Sequence, residues 1–290
     1  MRNTIRTAAA AVFTASGSAL AAPIPVTNFG FEANVIPVNT FAALIPQGWQ
    51  VHDPNGILDQ GIDAVGVIRP TNISFFPNGT TEGVNAALIF LAGDVGGGEV
   101  GLAQTVAASL QPGTRYTLRV DVGNIASGTS VPPNPVQFFN LDGFPGYRVD
   151  LLAGGVVIAS DNNTLGASIP EGEWRESVVA FDAPPGHPLL GTPLRIRLVN
   201  LNIPGTPQAP GIEVDFDNVR LDASPTPPPA CVGDLNNDGV VNTVDLTNFL
   251  GRFGGPAAGG PGGPGDFNND GAVDTADLIV FLGRIGATCP

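Results

Sequence analysis

From residue 23 to about residue 222, apolar and polar positions alternate in short runs. Tyr116, Leu118, Val120 and Val122 take every second place in RYTLRVDVG, Leu194, Ile196 and Leu198 do so in PLRIRLVNL, and Tyr147, Val149 and Leu151 in YRVDLL. A period of two sets such residues on one side of a half-buried β-strand. The string YRVDLLAGGVVIAS predicts a hairpin that turns at Gly154-Gly155. No stretch of this region keeps a helical period, and Gly, Pro and Asn separate the runs. The pattern therefore predicts a sandwich or barrel of antiparallel sheets. In the last strand the apolar set shifts parity, from Ile212, Val214 and Phe216 to Val219 and Leu221. A one-residue shift exchanges the buried face, so a β-bulge is expected near Asp217-Asn218.

Past residue 231 the period changes. Leu246, Phe249, Leu250 and Phe253 fall at i, i+3, i+4 and i+7, and so do Leu278, Phe281, Leu282 and Ile285. That spacing predicts two amphipathic helices, with Gly254 and Gly286 placed as their C-cap glycines. Neither short helix can bury its stripe alone, so the two are expected to pack on each other. Each is preceded by the same acidic turn, DLNNDGVVNTVD at 234–245 and DFNNDGAVDTAD at 266–277. Oxygen-bearing side chains stand at turn positions 1, 3, 5, 9 and 12: Asp234, Asn236, Asp238, Asn242 and Asp245, then Asp266, Asn268, Asp270, Asp274 and Asp277. Gly239 and Gly271 hold position 6, and Val240 and Ala272 offer carbonyls from position 7. This is the spacing of an EF-hand-type calcium loop, with Asp in place of Glu at position 12. The alternative is an Asn/Asp/Gly surface turn; repetition at every ligand position favours two calcium sites.

Composition narrows the setting. Arg2 and Arg6, an apolar stretch to Leu20 and an Ala19-Leu20-Ala21 cleavage string make residues 1–21 a secretory signal. Thr7, Thr14, Ser16, Gly17 and Ser18 argue against a membrane anchor there. The expected product is exported, to the extracellular space, the cell surface or the periplasm. All twelve basic residues are arginine against 26 acids, and loss of Arg2 and Arg6 leaves 10 − 26 = −16. Such a surface repels phosphate backbones, so nucleic acid is an improbable partner. Cys231 and Cys289, the only cysteines, bracket the acidic turns. In an exported chain the pair suggests a disulfide, which for a loop of that length contributes roughly 4 kcal/mol; a metal-thiolate role is the alternative. The organisation expected is a signal at 1–21, a β domain at 22–222, a proline-rich linker at 223–230 (ASPTPPPA) and a calcium-loop module at 231–290.

Residues 233–286 resemble a type I dockerin, through the ligand positions, the Asp-Leu that opens each helix (Asp245-Leu246, Asp277-Leu278) and the duplication. The resemblance implies attachment to a cohesin-like or cell-surface protein, with Thr243-Val244 and Thr275-Ala276 as partner contacts. The basic pair that dockerins carry late in the helix is missing, where Leu250-Gly251-Arg252 and Leu282-Gly283-Arg284 stand. In the β domain, VTNFGFE at 26–32, Gly48-Trp49 and VDFDNVRLD at 214–222 resemble the galactose-binding-like jelly rolls, a group rich in carbohydrate-binding modules. That resemblance implies a jelly-roll sandwich, a structural metal at Glu32 and Asp217, with Asn28 or Asp215 as the alternative positions, and a glycan ligand. Tyr116 and Tyr147 are in phase with core residues and Trp49 sits in the Gly-Trp string, which leaves Trp174, in EGEWRE, as the candidate sugar-stacking platform.

Catalysis has little support. His52 and His187 read as solvated loop residues, without a G-x-S-x-G elbow or zinc motif, and no acid pair is singled out for glycoside hydrolysis. The function expected is a non-catalytic exported protein, with a calcium-folded tail and a sandwich that binds carbohydrate. The alternatives are a glycoside hydrolase or its accessory subunit, and a structural or adhesive surface protein.

Overall fold

The computed structural model describes residues 21–58, 63–70, 75–92, 98–132, 135–203, 211–226, 231–258, 263–268 and 270–289. The signal expected at 1–21 lies, apart from residue 21, outside them. Chain contacts divide the molecule into two units, 1–225 and 226–290. The first is mainly β: β1 Ala22–Ile24, β2 Thr40–Ala42, β3 Gln50–His52, β4 Ala64–Arg69, β5 Ala86–Ala92, β6 Val100–Ser109, β7 Thr114–Asn124, β8 Gly128–Thr129, β9 Phe138–Phe139, β10 Tyr147–Ala153, β11 Val156–Asn162, β12 Glu173–Ala183, β13 Pro193–Asn200 and β14 Gly211–Pro225.

Two antiparallel sheets face each other. The larger runs β12-β7-β14-β5-β4-β2, with β1 paired to the far end of β14; the smaller runs β11-β10-β13-β6-β3. Every alternating run expected to be a strand is one. Tyr116, Leu118, Val120 and Val122 on one sheet meet Tyr147, Val149, Leu151, Leu194, Ile196 and Leu198 on the other in one buried core. Trp49 also belongs to it. β10 and β11 turn at Gly154-Gly155, with Ala153 paired to Val156; both glycines have positive φ, 58° and 84°, as a two-residue hairpin turn requires. The register of β14 against β7 shifts between Asp217 and Arg220, with Asn218 at φ 52°. This is the expected bulge.

Two details differ from the sequence reading. Ala223, Ser224 and Pro225 are not linker: they close β14, opposite Tyr116, Arg115 and Thr114. His52 is not solvated: its Nε2 lies 3.0 Å from Glu99 Oε1, whose carboxylate also takes Arg148 Nη1 and Nη2 at 2.7 and 2.8 Å. Arg148 foremost, with His52 assisting, lowers the Glu99 pKa to about 2.

The second unit holds two eight-residue helices, α1 Thr243–Leu250 and α2 Thr275–Leu282, and a ribbon of β15 Gly255–Pro256 with β16 Ala272–Val273. The helices stop at Gly251 and Gly283, three residues before the glycines expected to cap them. Phe253 and Ile285 therefore lie past the helix ends, partly exposed. Phe249 stacks on Phe281 at 5.6 Å and on Phe267 at 5.9 Å, so the two repeats share one aromatic core. Cys231 and Cys289 form the disulfide, Cα atoms 5.7 Å apart, which removes the thiolate alternative. Among the described residues no helix is long and apolar enough to cross a membrane.

Phe281 is wholly buried, and truncating such a ring removes about 3–5 kcal/mol, more than so small a unit holds in reserve. Phe281→Ala is expected to abolish amide-exchange protection across residues 231–289 while leaving β7 protected. Exchange mass spectrometry on the full chain checks this.

Candidate functional site

Alternation along β14 fixes the site. Val214 and Phe216 enter the core between the sheets, so Glu213, Asp215 and Asp217 occupy the outer face of the larger sheet. Across that face Asp215 stands between Leu88 of β5 and Gly123 of β7, Glu213 opposite Phe90, and Asp217 opposite Asp121. An outer face normally meets water. Here it carries a second apolar layer of Ala64, Ile68, Phe76, Ala86, Leu88, Ile125 and Leu141, with Phe75, Phe90, Phe139 and Trp174 packed against it.

Trp174 follows Gly123 in the same row. Its indole stacks on Phe76, ring centroids 4.4 Å apart and 23° from parallel, and its Nε1 donates to Gly79 O at 3.0 Å. A methyl group added at Gly123 would come within 2.7 Å of the indole; the bare glycine lets the ring lie against the sheet beside Asp215. Phe75 faces Phe139 edge-on at 6.2 Å and sits at φ 66°, a conformation that bulky residues rarely hold and that clusters at functional sites. Trp174 is thus half-buried in an aromatic layer, stacked on Phe76, and not the open stacking platform expected of it.

Asp215 is fully buried and Glu213 is 6% exposed. Neither oxygen of Asp215, nor Oε1 of Glu213, meets an N–H or O–H donor among the described residues. The interacting group of each carboxyl is the other. Two touching carboxylates in an apolar setting cannot both ionise, whereas a proton held between them satisfies both. Burial raises Glu213 to about 7. Burial, with the adjacent Glu213 charge, pushes Asp215 well above the carboxylate range. At neutral pH this face holds a carboxylic acid that can donate a proton, an arrangement suited to acid catalysis.

Asp217 and Glu32, expected to share a metal, both bond the backbone of one segment. Asp217 Oδ2 accepts from Thr81 N and Thr81 Oγ1, both at 2.9 Å, and from Glu82 N at 2.8 Å, while Oδ1 accepts from Asn218 N at 2.7 Å. Glu32 Oε1 accepts from Val84 N and Asn85 N at 2.6 Å each. The two carboxylates clamp one segment, 81–85, onto the sheet. Burial still lifts Asp217 to about 7 against those bonds.

In the tail, the carboxylate oxygens of Asp234, Asp238 and Asp245 lie within 4.8 Å of one another, as do those of Asp266, Asp270 and Asp277. Asp245 and Asp277 are fully buried and accept backbone N–H bonds from Leu235, Asn236 and Asn242, and from Phe267, Asn268 and Asp274. Asn242 and Asp274 also cap the helices by accepting from Val244 N and Ala276 N at 2.7 Å. Thr243-Val244 and Thr275-Ala276 are therefore the first helical turns.

A family model described as HpiC1-like, HpiC1 cyclase, matches residues 22–222. The chain belongs to the HpiC1-like cyclase family. An apo cyclase from Fischerella sp. superposes with a TM-score of 0.61 at 38% identity, over 71% of this chain and 98% of that one. The Stig cyclase Fisc from Fischerella sp. TAU, solved with (3Z)-3-(1-methyl-2-pyrrolidinylidene)-3H-indole, gives 0.60 at 39%, over 72% and 100%. A Fischerella sp. TAU cyclase solved with 4-(1H-indol-3-yl)butan-2-one gives 0.60 at 38%, over 71% and 99%. No curated protein matches the chain.

Membership in this cyclase family corrects the sequence reading. The sandwich is that of a cyclase, so the carbohydrate-binding, glycoside-hydrolase and purely adhesive readings fall. The dockerin reading falls as well: the family match ends at residue 222, no comparison supports a cohesin-like or surface-protein partner, and the helices lack the basic pair. Two of the relatives named above are solved with small indole compounds, not with glycans.

The decisive residues missed in the sequence are Glu213 and Asp215. Within IEVDFD they look like the wet side of a half-buried strand. The signal that could have found them lies in AALIFLA (86–92), apolar at both parities, which marks a strand covered on both faces. Any strand beside it has its outer side chains covered too.

Unfolded, these acids ionise near pH 4. The folded chain therefore binds more protons than the unfolded one between about pH 4 and about pH 7, and the stability they contribute is complete below that window and lost as pH rises through it. The melting midpoint is expected to fall between about pH 5 and pH 8. In Glu213→Gln/Asp215→Asn the fall should shrink to the part due to Asp217, as calorimetry across a buffer series would report.

Proposed function

We propose that the β domain catalyses acid-initiated ring closure on a small indole-bearing molecule, with Asp215 as the proton donor. The observation that carries this is the buried, donor-free carboxyl pair beneath the aromatic layer. Family membership supports cyclisation as the reaction class, and the indole ligands of two relatives support the substrate class. Asp215 would protonate an unsaturated carbon of the substrate, leaving a carboxylate and a substrate cation. Partly exposed rings of the aromatic layer, Phe75, Phe90 and Phe139, would stabilise that cation, as aromatic faces do for cations within about 6 Å. An internal nucleophile closes the ring, loss of a proton restores neutrality, and the carboxylate takes the proton back. No net proton or electron is consumed. Exclusion of water keeps the cation from being captured as an alcohol. Asp215→Asn is expected to lower turnover of an indole-alkene substrate by about 10²–10⁴-fold, with binding of 4-(1H-indol-3-yl)butan-2-one, followed by fluorescence quenching, little changed. Full turnover in this variant would refute the assignment.

For the tail we propose two calcium sites, one in each acidic turn. The clustered carboxylates of Asp234, Asp238 and Asp245, and of Asp266, Asp270 and Asp277, suit a hard cation, as do the side-chain oxygens of Asn236, Asn242, Asn268 and Asp274 and the carbonyls of Val240 and Ala272. The ion would relieve repulsion among the carboxylates and so stabilise the tail. Titration calorimetry of the full chain is expected to register two calcium ions, reduced to one in Asp277→Ala; no heat at millimolar calcium would sink this reading. An exported location, from the leader at 1–21, completes the proposal, and the size of the mature chain on secretion tests it.

A further inference from the structure

We infer that Glu213 is a positioning residue for Asp215, holding the acidic proton on it by leaving it no partner but a second carboxyl. The inference rests on Asp215 as the proton donor and goes beyond it, because the donor reading alone assigns Glu213 no task. The two residues are same-face neighbours on β14, roughly 7 Å apart along the strand, both buried, with no N–H or O–H donor on either Asp215 oxygen or on Glu213 Oε1 among the described residues.

Every other group facing them is apolar or acidic. β5 presents Leu88 and Phe90, β4 presents Ala64 beside Phe90, and β12 presents Trp174 over Gly123. Farther along the same face, Asp217 is held by Thr81, Glu82 and Asn218, and Asp121 accepts from Asn218 Nδ2 at 3.0 Å. The arginines of β7 and β14 on this face are engaged elsewhere: Arg119 and Arg220 with Glu176 at 2.8 and 2.7 Å, and Arg115 with Asp182 at 3.7 Å. Among the described residues no cation is placed to compensate an ionised Asp215. A carboxyl at 213 can satisfy Asp215 only through a shared proton, whereas an amide there would donate N–H and stabilise the ion.

The test is a carbon-13 NMR titration of side-chain carboxyls in the full-length chain and in Glu213→Gln, with thermal melts showing that each is folded. In the natural chain Asp215 is expected to stay protonated past neutrality. In Glu213→Gln its proton affinity should drop at least about tenfold, one pH unit at the midpoint, whereas a merely structural role for Glu213 would leave the midpoint in place. Glu213→Asp keeps a carboxyl and should keep Asp215 protonated, which also serves if the glutamine variant does not fold. An unchanged Asp215 midpoint in Glu213→Gln, or a drop in Glu213→Asp as large as that in Glu213→Gln, overturns the inference and leaves the donor reading standing. An Asp215 already ionised at pH 7 in the natural chain removes the donor reading itself.

Discussion

Strand β14 is the constraint on which the β domain depends. It is flanked by β5 along residues 211–216 and by β7 along 215–225, and it also receives β1 near its end. Its inner residues, Val214 and Phe216, are wholly buried in the core between the sheets. Burying a side chain of that kind contributes roughly 1.5–3 kcal/mol, so the strand cannot slip by one residue without expelling several of them. That same registration forces Glu213 and Asp215 onto the opposite face, beneath Leu88, Phe90 and Trp174. An ionised carboxylate could not be held there, but a neutral acid sharing its proton with another carboxyl can. Packing thereby dictates the protonation state, and the protonation state makes the chemistry available.

The backbone around the site is arranged to keep that face closed. Asp217 and Glu32 bind the N–H groups of residues 81–85, and the positive φ of Asn218 lets the strand bulge where Asp217 turns to do so. Phe75 is held in a strained conformation with its ring against Phe139 and its carbonyl accepting from Ala126 N. The same sandwich architecture serves many purposes across proteins. What distinguishes this one is an outer face where buried acids lie beside an apolar, aromatic layer.

The tail obeys a different economy of forces. Its two helices are too short to persist alone, and its small core centres on a stack of Phe249, Phe267 and Phe281, joined by Val273, Leu246 and Leu278 and closed by one disulfide. The loops before the helices lean on Asp245 and Asp277, each taking three backbone N–H groups, so the residues proposed to hold an ion also fold the turn.

Much of this was written plainly in the chain. Strands, hairpin, bulge, core-facing tyrosines and the shared helix core follow from local period and parity, because backbone geometry fixes where successive side chains point whatever lies beyond them. Two helix-pattern residues went astray for a local reason: the helices end at Gly251 and Gly283, so Phe253 and Ile285 satisfy the spacing without lying in the helices. The site was out of reach for a different reason. Alternating acids beside Val and Phe spell a solvated face until one knows that β5, far away in sequence and apolar at both parities, lies alongside, and that Trp174 and Phe76 roof the result. Sequence by itself determined which residues share a face. Only the tertiary structure decided whether that face meets water, since solvent access depends on which distant elements come to lie over it, and for Asp215 this is the difference between a solvated surface charge and a buried carboxyl.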